Sequence, residues 1–206
     1  CRSRCLNRRF LYTLQFGGLM GDDSRRLVID GGQSIVDFDN KAFKPIPQEG
    51  IDLAVSAMRR GVMYRYQPKQ KELSLTAKLE RSFSQYIGVK HTVGTNSCGS
   101  AMYIALNVVG VQPGDKILTN AFTFHAVPSV IHHARAVPVL VESNREWAMD
   151  AEDLDKKATE TGAKILLMSY MRGHVPDMDA VMAVVKKHNL IFIEDCAHAY
   201  ATLWNG

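Results

Sequence analysis

The sequence has 206 residues, of which 46% are hydrophobic and 22% charged, a composition typical of a globular chain that is long enough to bury a core. The net charge of +4 is small, and basic residues alternate with acidic ones through most of the chain, so nucleic acid is not expected as a partner. Apolar runs are too short to span a bilayer and the four cysteines lack zinc-site spacing, so we expect no membrane span and no metal site, and a reducing, cytoplasmic compartment fits best.

The first 37 residues are predicted to form a basic, irregular segment, and residues 38–206 a single domain. Four arginines occur within the first nine residues, before the first acidic residue, Asp22. This pattern is typical of the tail of an organellar import peptide, and it also fits translated non-coding sequence ahead of Met20. After it, residues 38–66 form a lead-in arm with one predicted helix near Ile51–Arg59.

From about Leu73 onward, segments with helical spacing alternate with short β-branched runs. Helices are predicted at Glu72–Ile87, Gly99–Val109, from near Phe124, at Ala151–Lys157 and at Met178–His188. Strands are predicted at His91–Thr95, Lys116–Thr119, Val137–Val141, Lys164–Met168 and Leu190–Glu194. Apolar strands joined by helical crossovers indicate an α/β fold with a mostly parallel sheet and helices on both faces. Ligands of such sheets bind at the carboxyl ends of the strands.

The first candidate site is a junction at which a strand runs through small residues directly into a helix, from Val93 to Ala101. Free N–H groups at a helix N-terminus, together with the helix dipole, favour an anion such as phosphate. The same residues also fit an ordinary helix cap, in which Ser97 or Ser100 satisfies the first turn without a ligand. The segment alone leaves both interpretations open.

The second candidate is the apolar strand that ends in Glu194 and Asp195. Adjacent residues of a strand point to opposite faces of a sheet, so the two carboxylates face different surroundings. A carboxylate at the end of a central strand is costly to desolvate unless a cation or hydrogen-bond donors meet it. A protonated cofactor ring nitrogen, a metal or the next helix N-terminus would each meet that need.

Weaker signals follow two other predicted strands. Arg172 and His174 are candidates for binding a carboxylate or phosphate of a substrate, although a solvated loop is the simpler interpretation. Phe122 and Phe124 would form either an aromatic wall over a planar ring or part of the core. Because all of these signals lie at the carboxyl ends of different strands, one pocket could combine a phosphate site, an aromatic face and a carboxylate. That combination suits pyridoxal phosphate (PLP).

The order and spacing of these segments resemble the DegT/DnrJ/StrS sugar-aminotransferase family over roughly Leu79 to Gly206. The family's motifs have counterparts in Ser97–Met102, Pro113–Leu118, Thr123–Val127, Asp177–Asp179 and Glu194–Ala199. The resemblance implies the large domain of a fold-type-I PLP transferase, with three αβα layers and a mostly parallel sheet, incomplete at its C-terminal side.

The resemblance also implies how the cofactor phosphate is held. Backbone N–H groups of Cys98, Gly99 and Ser100 would bind it, together with the Ser100 hydroxyl. The family usually has Gly-Thr where this sequence has Cys98-Gly99, which removes a side-chain hydroxyl donor. The departure shifts more of the phosphate binding onto Ser100.

Three further residues receive roles from the resemblance. Phe124 would stack on the pyridine ring, and Asp195 would pair with the pyridine nitrogen and keep it protonated. The protonated ring is the electron sink that transamination needs. His198, where the family usually has Gln, would lie beside the ring hydroxyl. Asp195 and His198 are therefore the predicted catalytic residues.

Two departures from the family pattern limit what the resemblance implies. The loop Met171–His174 stands where many members have an aromatic residue before the glycine, so substrate preference cannot be copied. The family's Schiff-base lysine lies beyond the Asp195 motif, and no lysine follows Asp195 in this sequence. We therefore expect an N-terminal portion of a longer enzyme, inactive by itself because the lysine provides the base.

The expected function is transfer of an amino group from glutamate or glutamine to a keto-sugar or a cyclitol ketone, by a homodimer that shares residues between its sites. The alternative is a degenerate, non-catalytic subunit that acts as a binding or scaffold module. Retention of the phosphate segment, Phe124 and Asp195 argues against that alternative. An α/β-hydrolase does not fit, because Thr95 occupies the first glycine position of the Gly-x-Ser-x-Gly motif.

Overall fold

The computed structural model describes residues 26–32, 34, 44–61, 64–66 and 74–205. The predicted basic segment at residues 1–25 and the domain boundary predicted at residue 37 lie outside these residues. Contacts divide the chain into two units, residues 1–61 and residues 62–206. Among the described helices, none combines the length and apolar character needed to cross a membrane.

The first unit contains one 3₁₀ turn, Val28–Asp30, and one helix, α1, at Gln48–Arg60. Helix α1 ends at Gly61, whose left-handed conformation allows its N–H to donate to Met58 O. The prediction of a helix near Ile51–Arg59 is confirmed.

The second unit alternates helices and strands in chain order. They are α2 at Leu75–Ile87, α3 at Cys98–Val108, β1 at Lys116–Asn120, α4 at Ala126–His133, β2 at Val137–Val141, α5 at Ala151–Thr161, β3 at Ile165–Ser169, α6 at Met178–His188 and β4 at Ile191–Asp195. Side-chain caps fix the start of several helices: Asp150 accepts from Glu152 N at α5, and Asp177 accepts from Asp179 N at α6. The sequence predicted β2 and α6 with these bounds.

The four strands form one parallel sheet in the order β2-β1-β3-β4. Leu118 of β1 lies opposite Leu166 of β3, and Ser169 of β3 lies opposite Asp195 of β4. The carboxyl ends of β3 and β4 are therefore side by side. The parallel α/β prediction is confirmed.

The fifth strand predicted at His91–Thr95 is wrong within the described chain, because this segment pairs with none of the four strands. Its Val93 side chain is 65% exposed, and the N–H of Gly94 donates to the Glu80 side chain rather than to a neighbouring strand. β-branched residues favour a strand only where a partner edge and a packing surface are available.

Two hydrophobic layers cover the sheet, one on each face. One layer packs α5 and α6 against Leu118, Leu166 and Met168. The other packs α3 and α4 against Ile117, Ile165 and Leu167. Neighbouring strand residues thus alternate between the α5/α6 face and the α3/α4 face, which gives the expected three layers.

Candidate active site

The N-terminus of α3 presents free N–H groups at the surface. Ser97 caps the helix, since its Oγ accepts from Ser100 N at 3.1 Å and its carbonyl accepts from Ala101 N at 3.0 Å. The N–H groups of Cys98 and Gly99 have no intrahelical acceptor and no partner in the described part of the chain. The Ser97 hydroxyl donates to Ser100 Oγ at 3.1 Å, which leaves the Ser100 proton available to a ligand. The cap and the anion site are therefore compatible.

The space in front of Gly99 is open. A Cβ added there would meet only Ser97 Oγ, at 3.8 Å. An anion can therefore approach the two free N–H groups without displacing protein atoms. The donor set is that of a phosphate site at a helix N-terminus.

The segment that enters α3 is held by a carboxylate of α2. Glu80, which is 9% exposed, accepts from Gly94 N at 2.7 Å and from Arg65 at 3.1 and 2.9 Å. The hydrogen bonds from Arg65 and Gly94 lower the pKa of Glu80. The negative charge of Glu80 thus fixes the backbone immediately before the candidate phosphate site.

Asp195 ends β4 on the α3/α4 face and is 6% exposed. Its Oδ2 accepts from Ser169 Oγ at 2.8 Å. Its Oδ1 has longer contacts, from Ala197 N at 3.2 Å and from Cys98 Sγ at 3.4 Å. Because a thiol is a weak donor, Oδ1 is the oxygen at which a stronger donor would replace an existing partner.

The contact between Cys98 and Asp195 joins two motifs that lie 97 residues apart. Cys98 is exposed as a residue, but burial of its thiol, followed by the charge of Asp195, raises the thiol pKa to about 11. Cys98 therefore carries a neutral S–H at physiological pH and donates to the carboxylate. The first and second candidate sites form one site.

Glu194 points to the opposite face of the sheet, as the strand alternation predicts. Its Oε1 accepts a hydrogen bond from the hydroxyl of Tyr170, a residue that is 5% exposed. Burial and this hydrogen bond raise the pKa of Tyr170 far above its usual value, so the phenol remains a donor. The Tyr170 N–H also donates to Asp195 O at 3.2 Å.

His198 is held by the loop after β3. Its Nδ1 accepts from Arg172 N at 3.2 Å, so a neutral His198 ring carries its proton on Nε2. Gly173 lies beneath, with a φ of +80°, and a Cβ there would stand 3.3 Å from His198 O. The loop that contains Arg172 and His174 is thus fitted closely against the His198 segment.

The aromatic side chains are placed less centrally. Phe124 is 50% exposed, which excludes a core position, and its ring contacts His125 at a centroid distance of 4.3 Å. Phe122 packs against Trp147 at 5.1 Å and against His174 at 6.5 Å. Stacking of Phe124 on a cofactor stays a prediction.

The structure thus brings Cys98 to Asp195 and Arg172 to His198, and it places the free N–H of Gly99 beside Cys98. Sequence reasoning missed Ser169 and Asn120 as members of the site. Asn120 Oδ1 accepts from Ser169 N at 2.8 Å, so the ends of β1, β3 and β4 are linked by side chains. Both are polar residues that end apolar strands, a signal already present in the sequence. The described residues include no group of three or more potential metal ligands.

Residues 69–206 match the model of the DegT/DnrJ/EryC1/StrS aminotransferase family. The chain belongs to this family. The resemblance stated from the motifs is confirmed, and so is the fold class. A relative that shares 34% identity over 128 residues is the spore coat polysaccharide biosynthesis protein SpsC of Bacillus subtilis, of which the match covers 33%, against 62% of this chain. GDP-perosamine synthase of Caulobacter vibrioides is 32% identical over 130 residues, which is 63% of this chain and 35% of that enzyme.

A solved structure from Streptococcus pneumoniae, assigned as a sugar aminotransferase and determined in its PLP form, superposes with a TM-score of 0.67 at 30% identity. The superposition covers 76% of this chain and 42% of that one. This DegT/DnrJ/EryC1/StrS chain therefore spans about a third of the length of the curated relatives it matches, as their coverage of 33% and 35% shows.

Proposed function

We propose that this chain is part of a PLP-dependent aminotransferase that transfers an amino group from glutamate or glutamine to a keto-sugar or a cyclitol ketone. The observation that supports the proposal most directly is the contact between Asp195 and Cys98. It places a buried carboxylate beside the open N-terminus of α3, so one molecule with a cationic ring nitrogen and a phosphate would meet a suitable partner at each end. The family membership and the relatives named above support the reaction class.

The residues present fit pyridoxal phosphate. The N–H groups of Cys98 and Gly99 and the hydroxyl of Ser100 would hold the phosphate, and Asp195 Oδ1 would accept a hydrogen bond from the pyridine nitrogen. The Nε2–H of His198 would donate to the ring hydroxyl. When bound, the group supplies an electron-withdrawing pyridinium ring for amino-group transfer.

The chain's own side chains orient this site. Ser169 holds Asp195 Oδ2 and leaves Oδ1 for the ligand. Arg172 N fixes the His198 ring through Nδ1, so its second nitrogen is the one that faces outward chemistry. Arg172 and His174 lie in an exposed loop, and in this proposal their side chains bind the substrate.

The lysine that the reaction requires does not follow Asp195 in this sequence, so our proposal assigns it to the remainder of a longer polypeptide. The share of the relatives that the chain covers, about a third, supports this. A homodimer and a cytoplasmic location belong to the same proposal. The competing function is a non-catalytic module that retains the fold.

Pyridoxamine 5′-phosphate distinguishes the two functions, because it carries no aldehyde that would react with surface lysines. We expect the chain to bind it in a fluorescence titration. Asp195→Asn should weaken binding about tenfold to a hundredfold, since a hydrogen bond between charged groups contributes about 1.5–3 kcal/mol. Asp52→Asn, on α1, is the matched control and should bind as the wild type does. Absence of saturable binding, or equal affinity of Asp195→Asn, would favour the non-catalytic module.

A further inference from the structure

Tyr170 makes contacts on both sides of the Glu194-Asp195 pair. It directly follows Ser169, the last residue of β3, so it lies beside the carboxyl end of β4. Its main-chain N–H donates to Asp195 O at 3.2 Å, and its hydroxyl donates to Glu194 Oε1. One residue therefore contacts both members of the pair, one through its backbone and the other through its side chain.

These contacts restrict rotation of β4 about its own axis. Glu194 and Asp195 point to opposite faces, so a twist that moved the Asp195 carboxylate away from α3 would also move Glu194 away from Tyr170. Ser169 Oγ holds the Asp195 carboxylate on one face, at 2.8 Å, while the Tyr170 phenol holds Glu194 on the other. The end of β4 is thus held from both faces of the sheet by consecutive residues of β3 and its exit.

We propose that Tyr170 is a positioning residue that fixes the direction of the Asp195 carboxylate by anchoring Glu194 on the opposite face of the sheet. The inference rests on the proposed role of Asp195 towards the cofactor. Tyr170 does not reach the α3/α4 face with its side chain, so it acts only through Glu194 and the β4 backbone. Burial keeps the phenol protonated, so the anchor persists at alkaline pH.

The carboxylate direction can be observed without catalysis, through the N–H of Ala197 that donates to Asp195 Oδ1 at 3.2 Å. The chain contains a matched amide, Glu152 N, which donates to Asp150 Oδ1 at 2.8 Å with the same two-residue spacing. Hydrogen exchange at Ala197 reports the local direction of Asp195, and exchange at Glu152 reports opening elsewhere in the unit.

Tyr170→Phe removes the hydroxyl and keeps the ring and the backbone N–H. We expect it to accelerate exchange at Ala197 about threefold to tenfold, with Glu152 unchanged, and to weaken binding of pyridoxamine 5′-phosphate by a similar factor, which is the range of one lost hydrogen bond. Glu194→Ala, at an exposed residue, should reproduce both effects, and Glu194→Gln should restore them because it keeps an acceptor. Tyr86→Phe is the matched control, since the Tyr86 hydroxyl makes no hydrogen bond among the described residues.

Wild-type exchange at Ala197 in both Tyr170→Phe and Glu194→Ala would overturn the inference. Equal acceleration at Ala197 and Glu152 would also overturn it, because that result describes a general loss of stability. Failure of Glu194→Gln to restore exchange would contradict the hydrogen bond as the cause. If the wild-type chain did not bind pyridoxamine 5′-phosphate, the proposed function would fail, while the exchange measurement would still decide the role of Tyr170.

Discussion

The Glu80→Ala substitution removes the acceptor that holds the backbone before α3. Glu80 is 9% exposed and accepts from Gly94 N at 2.7 Å, so the substitution leaves that N–H without its partner. A hydrogen bond to a charged group contributes about 1.5–3 kcal/mol to stability, and we expect the free energy of unfolding to fall by about this amount. Glu80→Gln should cost less, because its amide oxygen can still accept from Gly94.

The pH dependence of this effect follows from the lowered pKa of Glu80. The folded-state pKa lies below the ordinary value of 4.5, because Arg65 and Gly94 N donate to the carboxylate. The unfolded chain therefore binds a proton more readily, so the stabilisation is fully present above pH 4.5 and is lost as the pH falls through the folded-state pKa. The difference between wild type and Glu80→Ala should be the same at pH 7 and at about pH 6, and smaller at about pH 3.

Urea unfolding followed by circular dichroism at these pH values measures the difference directly. Hydrogen exchange at Gly94 provides the local measurement, and it should accelerate in Glu80→Ala more than in Arg65→Gln. Equal stability of Glu80→Ala and wild type at pH 7, or a difference that does not shrink on acidification, would refute the reasoning.

Three further predictions concern other parts of the second unit. Asp155, whose pKa is lowered by hydrogen bonds from a lysine and from His188 on α6, should stabilise the protein at neutral pH and lose this effect as the pH falls below 3.8 through its folded-state pKa. Asp155→Asn should therefore lower the urea midpoint at pH 7 but have a smaller effect at about pH 3. Cys98, with a thiol pKa of about 11, should react with iodoacetamide at pH 8 roughly a hundredfold more slowly than a free cysteine, as measured by peptide mass spectrometry. Leu106→Ala, at a fully buried residue, should lower the free energy of unfolding by about 2–5 kcal/mol, whereas Leu203→Ala, at a residue 76% exposed, should change it by less than about 0.5 kcal/mol.

Each of these predictions has an outcome that would contradict it. An Asp155→Asn deficit that stays constant between neutral and acidic pH would show that the ion pairs of Asp155 do not stabilise the fold. Alkylation of Cys98 at the rate of a free thiol would show that its S–H is not buried against Asp195. A Leu106→Ala cost as small as that of Leu203→Ala would mean that α3 does not pack on the sheet as described.

Local pattern predicted most elements because apolar spacing and capping residues act over only a few positions. The runs Val137–Val141 and Met178–His188 became β2 and α6 with the predicted bounds. The strand predicted at His91–Thr95 was wrong for a reason that no local pattern contains: a strand needs a partner edge, and in the described chain Gly94 N bonds to Glu80 instead.

The candidate site was predicted in part for the same reason. The sequence identified Cys98, Asp195 and His198 through motifs, each of which lies within one segment. Ser169 and Tyr170 were missed because their importance arises from lying beside Asp195 across the β3–β4 ladder, 26 and 25 residues away in the chain. That proximity is a property of the parallel register, which short-range patterns do not encode.

The Glu194-Asp195 pair separates the two kinds of information. The sequence by itself determined that the two carboxylates face opposite sides of a sheet, because the pleat of a strand alternates its side chains. Only the tertiary structure decided which carboxylate faces which side. Asp195 meets the thiol of Cys98 because α3 packs on its face, and Glu194 meets the phenol of Tyr170 on the face of α5 and α6. Packing of the helices, rather than strand alternation, thus selects Asp195 as the carboxylate beside the open N-terminus of α3.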